Sequence, residues 1–106
     1  MGSGLTKLTE EQYLAIDRAA EFRSELLDGE MVARPAVSIR HGRVQGNVLG
    51  ELYLALRGRG GEAFGSDLRV RVSSRTYTYP DILVVFGKPR AADAYQDVLV
   101  NPIRSF

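Results

Sequence analysis

The sequence predicts a single small α/β domain. Three observations carry that expectation: a capping signature ahead of an amphipathic segment near the N-terminus, an Asp-Gly pair between two extended runs, and an uninterrupted apolar run over residues 82–86. A chain of 106 residues has room for one core, because a domain of this size buries only about two thirds of the surface its unfolded chain exposes. At 44% hydrophobic and 25% charged residues, the composition is that of an ordinary globular protein and excludes a disordered or membrane-embedded chain.

The elements follow in order. Thr9-Glu10-Glu11-Gln12 has the form of a capping box, in which a hydroxyl closes the first turn and a glutamine three residues on reaches back. A helix is expected from there to about Ala20, with Tyr13, Leu14, Ile16, Ala19 and Ala20 as its apolar face, and residues 1–7 are expected to be flexible. Asp28-Gly29 separates Glu25-Leu26-Leu27 from Glu30-Met31-Val32, the two-residue turn that best matches the twist of a β-hairpin. Pro35 closes its second strand, and a second helix is expected from about Ser38 to Arg57, burying Val44, Val48, Leu49, Leu52 and Leu56 at the three- and four-residue spacing of one stripe. Gly46 and Gly50 interrupt this helix. Each costs about 1 kcal/mol relative to alanine, so both are expected to permit close packing against a sheet.

Glu62-Ala63-Phe64 is a short strand candidate. Asp67 to Val72 is a clearer one, with Leu68, Val70 and Val72 alternating against Asp67, Arg69 and Arg71, the pattern of a strand wet on one face. Tyr77 to Asp81 leads into Ile82-Leu83-Val84-Val85-Phe86, expected to be a central strand buried on both faces. Ala91 to Gln96 reads as a connector, and Val98-Leu99-Val100 begins another strand.

The absence of cysteine excludes disulfides, thiolate metal sites and cysteine nucleophiles, leaving oxygen donors and the single histidine, His41, for any metal. A net charge of +1 supplies no strong whole-chain attraction to nucleic acid, although arginines outnumber lysines twelve to two and arginine suits phosphate contacts. No apolar run approaches the roughly 20 residues of a membrane helix, and residues 1–7 lack a secretion signal, so no membrane partner and a cytoplasmic location are expected.

Asp81 is the most informative residue, because a carboxylate immediately before a fully apolar strand can point into a cleft at the sheet's edge; the alternative is that Pro80-Asp81 only turns the chain into the strand. Glu25 lies on the first hairpin strand, as an exposed charge or as a recruit to a site. His41, in the first turn of the second helix, is able to orient a phosphate or water. Arg69 and Arg71 project from one strand face, to contact phosphates or only solvent.

In combination, Leu8-Thr9-Glu10-Glu11-Gln12-Tyr13-Leu14, Glu25-Leu26-Leu27-Asp28-Gly29-Glu30, Arg40-His41, Ser66-Asp67-Leu68-Arg69-Val70 and Tyr79-Pro80-Asp81-Ile82-Leu83-Val84-Val85 resemble, in order, the Uma family of restriction endonucleases in the PD-(D/E)XK superfamily. The resemblance covers about Lys7 to Pro102. It implies a restriction-endonuclease-like mixed sheet flanked by helices, acting on DNA with Mg²⁺ or Mn²⁺ held by Asp81 and a glutamate on the next strand. Glu25 is the position matching an upstream acidic residue of the site. In relatives an apolar strand after an Asn-Pro pair runs into that glutamate, and a helix bearing a basic residue follows. Here Asn101-Pro102-Ile103 is followed by Arg104-Ser105-Phe106. The resemblance therefore implies a domain incomplete at its C-terminus, from a truncated or frame-shifted reading frame, and inactive by itself. The alternatives are a non-catalytic remnant that binds nucleic acid, or associates with itself or a full-length relative through an open sheet edge, and a gene fragment without function.

Overall fold

The computed structural model describes residues 7–100 and 104–105, which fall into two compact units, Met1–Pro35 with Arg71–Thr78 and Ala36–Val70 with Tyr79–Phe106. Of residues 1–7, expected to be flexible, only Lys7 is described, its Nζ donating to the Asp28 carbonyl at 2.7 Å; among the described residues no helix is long and apolar enough to cross a membrane.

In the first unit, α1 (Glu10–Ala19) begins at the expected box: Thr9 Oγ1 accepts from the Gln12 amide at 3.2 Å, and Gln12 Oε1 accepts from the Thr9 amide at 2.9 Å. Its buried face is Tyr13, Leu14 and Asp17, whereas Ile16, expected inside, is 48% exposed. Helical spacing explains the correction, since residue 17 lies four and three positions beyond Tyr13 and Leu14 and must share their face. The buried carboxylate is satisfied there, accepting from the Ser24 amide at 2.8 Å and from the Tyr13 hydroxyl at 3.4 Å.

β1 (Ser24–Leu27) and β2 (Glu30–Ala33) form the expected antiparallel hairpin, with Leu27 opposite Glu30. Its turn residues have positive φ, 50° at Asp28 and 85° at Gly29, the requirement of a type I′ turn that Asp-Gly meets. β4 (Arg69–Ser73) turns tightly into β5 (Thr76–Thr78), which pairs antiparallel with β1 through Leu26 and Tyr77. The strand order is β2-β1-β5-β4. β5 was not expected as a strand.

The first turn of α1 is tied to these strands by one carboxylate: Glu10 Oε1 accepts from Arg71 Nε and, at 2.6 Å, from the Tyr77 hydroxyl. The Arg71 hydrogen bond holds Glu10 below its ordinary pKa of 4.5, and the same bond raises Arg71. Burial, and then the Glu10 carboxylate, push Tyr77 from 10.0 up to about 12. A raised folded pKa means that the Tyr77 contribution is complete below pH 10 and is lost as pH rises toward 12; the lowered Glu10 value means that its contribution is present above pH 4.5 and is lost below it. Urea denaturation across this range is expected to show an alkaline loss of roughly 2–3 kcal/mol, which Tyr77→Phe flattens. An unchanged alkaline limb in that variant contradicts the assignment.

In the second unit, α2 (Ile39–Leu56) starts where the sequence placed it, with the Ser38 hydroxyl accepting from the His41 amide at 3.0 Å. The expected buried stripe is not found. No described residue of α2 is buried; His41, Gln45, Leu49, Leu52 and Leu56 are half-buried, and Val44 and Val48 are 55% and 43% exposed. Gly46 and Gly50 do not pack against the sheet either, since a Cβ at each would meet nothing within 4 Å. Gly46→Ala and Gly50→Ala are accordingly expected to raise stability by about 0.5–1 kcal/mol each in chemical denaturation. A loss in either variant would place a neighbour on that face.

β3 (Gly61–Phe64) packs against the end of α2: a Cβ at Gly61 would lie 2.9 Å from Leu56 Cδ2 and 2.8 Å from Phe86 Cε1, so the absence of a side chain permits the approach. β3 pairs antiparallel with β6 (Leu83–Phe86), and β8 (Arg104–Ser105) pairs with the other edge of β6. β6 is therefore the middle of three strands, with Leu83, Val84 and Val85 buried, as its unbroken apolarity implied. Val70, Leu83, Val85 and Leu99 form its core, covered by Phe64 and Leu68. β7 (Val98–Leu99) runs parallel to the first two residues of β4, and this parallel pairing beside antiparallel ones makes the strand arrangement mixed. β7 is the strand expected to begin at Val98-Leu99-Val100, and Asn101-Pro102-Ile103 lie outside the described residues.

Candidate functional site

Asp81 stands two residues ahead of β6, after Pro80 and before the buried Ile82. Burial of Ile82 and the strand fixes the backbone, while the Asp81 side chain remains 45% exposed. Two residues of α2 grip it. Gln45 donates its side-chain amide to the Asp81 carbonyl at 2.7 Å, and His41 Nε2 lies 3.2 Å from Asp81 Oδ2. His41 and Gln45 are four apart and share one helix face, so a single turn of α2 positions both the main chain and the carboxylate of Asp81.

The three residues line a cavity of about 350 Å³ whose remaining wall is Val44, Val48, Leu52 and Ile82. The site is thus a half-exposed carboxylate and an imidazole at the margin of an apolar hollow. The pair is a charged one when His41 is protonated and a neutral imidazole facing a carboxylate when it is not. Arg40 and Arg43 are exposed on the same first turns of the helix.

The other expected residues have the following surroundings. Glu25 is on β1 opposite Val32, in the first unit. Arg71 gives its Nε to Glu10 and stays partly exposed. Arg69 requires a correction: its side chain is 4% exposed, with Nε donating to the Tyr79 hydroxyl at 3.0 Å and Nη1 to Asp97 Oδ2 at 3.1 Å. A guanidinium so enclosed is not presented to a phosphate. Val72, expected inside, is exposed, so the alternation along β4 does not describe one wet and one dry face. Gln45 was missed, although its spacing from His41 was visible in the sequence.

Among the described residues no three His, Cys, Asp or Glu side chains converge on a point that could hold a metal ion. One carboxylate and one imidazole do not match Mg²⁺, which takes an octahedron of oxygens; the described residues alone do not make a site for it.

The fold is a mixed α+β one shared with a solved structure. It superposes with a TM-score of 0.70, at 19% identity, on a protein from Anabaena variabilis described as a "putative nuclease belonging to DUF820", covering 92% of this chain and 54% of that one. The chain belongs to the Uma2 family, described as "Putative restriction endonuclease", whose pattern matches residues 10–103. An uncharacterized protein of Synechocystis sp. is 33% identical over 96 residues, 90% of this chain and 54% of that protein. The chain thus spans about half the length of the relatives it matches.

Proposed function

We infer that the chain is the Asp81-bearing part of a nuclease domain that hydrolyses DNA phosphodiester bonds. The observation that carries this reading is the placement of Asp81: a half-exposed carboxylate at the head of a buried strand, clasped by His41 and Gln45 at the mouth of a cavity, in a chain of a restriction-endonuclease family. Family membership implies a divalent cation, Mg²⁺ or Mn²⁺, which would polarise a phosphoryl oxygen or water when bound. Asp81 would be one of its carboxylate ligands, beside donors that the described residues do not supply.

The chain's own residues have three tasks. Asp81 presents one carboxylate oxygen with the other paired to His41; Gln45 holds the Asp81 main chain in place; and the exposed Arg40 and Arg43 meet the DNA phosphates. Arg71, partly exposed in the first unit, is a further candidate for a phosphate contact, the enclosed Arg69 is not one, and no role at the site is assigned to Glu25.

The test combines the chain with the part of the Synechocystis relative that lies outside the match and measures nicking of supercoiled plasmid in Mn²⁺ or Mg²⁺. Nicking that needs both polypeptides and stops with EDTA is the expected outcome. Absence of nicking, together with no retention of duplex DNA at low salt, overturns the reading.

A further inference from the structure

β2 is the outer strand of its hairpin: among the described residues it pairs with β1 and with no other strand. In an antiparallel ladder, successive residues turn their backbone N–H and C=O alternately toward one side and the other. Arg34 donates its amide to the Arg23 carbonyl at 3.2 Å, so Arg34 faces β1, and the alternate residues Val32 and Glu30 face it too. The amides and carbonyls of Met31 and Ala33 therefore point away from β1, along an edge that no described strand fills. Such an edge is a template for another strand.

The two ends of the edge decide which strand fits it. Gly29 is already used, its amide donating to the Arg75 carbonyl and its carbonyl accepting from the Leu8 amide, each at 2.8 Å. At the other end Pro35 has no N–H to give. A second copy of β2, running antiparallel across a two-fold axis at Val32, sets Met31 opposite Ala33 and Ala33 opposite Met31. Every outward N–H then meets an outward C=O on both chains. Moving the axis to Met31 sets Ala33 against the occupied Gly29, and moving it to Ala33 sets Met31 against Pro35. An axis between two residues sets outward groups against groups already turned to β1.

The side chains agree with the register centred on Val32. Val32, 43% exposed, meets its own counterpart as a non-hydrogen-bonded pair, the arrangement in which facing side chains come closest. Glu30 stands opposite Arg34 of the second copy on either side of the axis, so opposite charges face each other and no like charges do.

We propose that β2 is a homodimerisation edge, on which two copies of the chain join through Met31 and Ala33 about a two-fold axis at Val32, with Glu30 and Arg34 matched across the junction. Pairing of this kind needs neither metal nor DNA and is independent of the nuclease reading. A junction of a few residues buries far less than the ~1,600 Å² of a standard interface. The dimer is accordingly expected to be weak, with a dissociation constant of roughly 0.01–1 mM.

Sedimentation equilibrium of the 106-residue chain over about 0.01–1 mM, in EDTA without DNA, measures the dimer, and hydrogen exchange by NMR reads the individual amides. The expected result is a monomer–dimer equilibrium in which the Met31 and Ala33 amides become protected as concentration rises. Ala33→Pro removes an outward N–H while leaving the ladder to β1 intact, and should weaken the dimer at least about tenfold. Glu30→Arg and Arg34→Glu should each be monomeric alone, because like charges then face each other, and should form a mixed dimer when combined in equal amounts. Recovery on mixing separates the register from any loss of folding, which circular dichroism and the thermal midpoint of each variant monitor. A monomer at every concentration, whether the edge stays open or another segment fills it, overturns the proposal. So does a dimer in which the Met31 and Ala33 amides exchange freely, one that Ala33→Pro forms as tightly as the parent, or a mixture of the two charge variants that stays monomeric.

Discussion

An Asp81→Asn chain, assembled with the complementing polypeptide, is expected to lose DNA nicking by at least about 100-fold while retaining duplex DNA at low salt as the parent does. The expected size follows from what the substitution leaves intact. Asparagine keeps the volume and the main-chain carbonyl that accepts from Gln45, so the cavity and the head of β6 should persist. It removes the negative charge beside His41. Replacing residues that only support a metal ligand typically costs 10–100-fold, and a ligand itself should cost no less. DNA retention rests instead on arginines, and Arg40→Ala with Arg43→Ala should weaken it and reduce its salt dependence. A parent level of nicking in Asp81→Asn would remove Asp81 from the chemistry.

His41→Ala separates two ways in which the imidazole could matter. If it only positions the carboxylate, cleavage should fall by about 10–100-fold with DNA retention unchanged. If it contacts a phosphate, retention should fall as well. The distinction follows from geometry, since His41 Nε2 faces Asp81 while its backbone amide is already given to Ser38.

The parts of this fold that were legible in the sequence are those in which one residue type answers one local demand. Asp28-Gly29 supplies two consecutive positive φ values, Ser38 and Thr9 supply hydroxyls to close a helix start, and the run from Ile82 to Val85 contains no side chain that tolerates water, which put β6 in the middle of its strands. What the sequence concealed depends on distant partners. Periodicity in α2 identified an apolar face but not whether anything covers it, and Val44 and Val48 remain exposed. β5, three residues long, has too few positions for alternation to register. Asp17 entered the core because Ser24 and Tyr13 satisfy its oxygens. The candidate site was half legible: Asp81 was marked by the strand behind it, but its clasp by His41 and Gln45, 40 and 36 residues away in the chain, is a product of folding alone.

Arg69→Ala is expected to destabilise the second unit by about 3 kcal/mol, with no independent effect on DNA affinity. The guanidinium is almost wholly enclosed, donating to Tyr79 and Asp97 and lying 5.6 Å from the Tyr79 ring centroid. Truncation strips the aliphatic stem from its packing, removes the charged donor to the buried Tyr79 hydroxyl, a bond worth about 1.5–3 kcal/mol, and removes one partner of Asp97. The ion-pair part of the loss is small, because Asp97 is 40% exposed and water takes over its charge. Arg69→Met keeps much of the stem and should cost less than alanine, about 1–2 kcal/mol. Urea denaturation of both variants orders them. The measurement that separates structure from recognition is duplex DNA retention by the folded fraction: a phosphate-binding arginine would lose affinity in Arg69→Met, whereas an arginine that ties β4 to Tyr79 and Asp97 should leave retention unchanged while the denaturation midpoint falls.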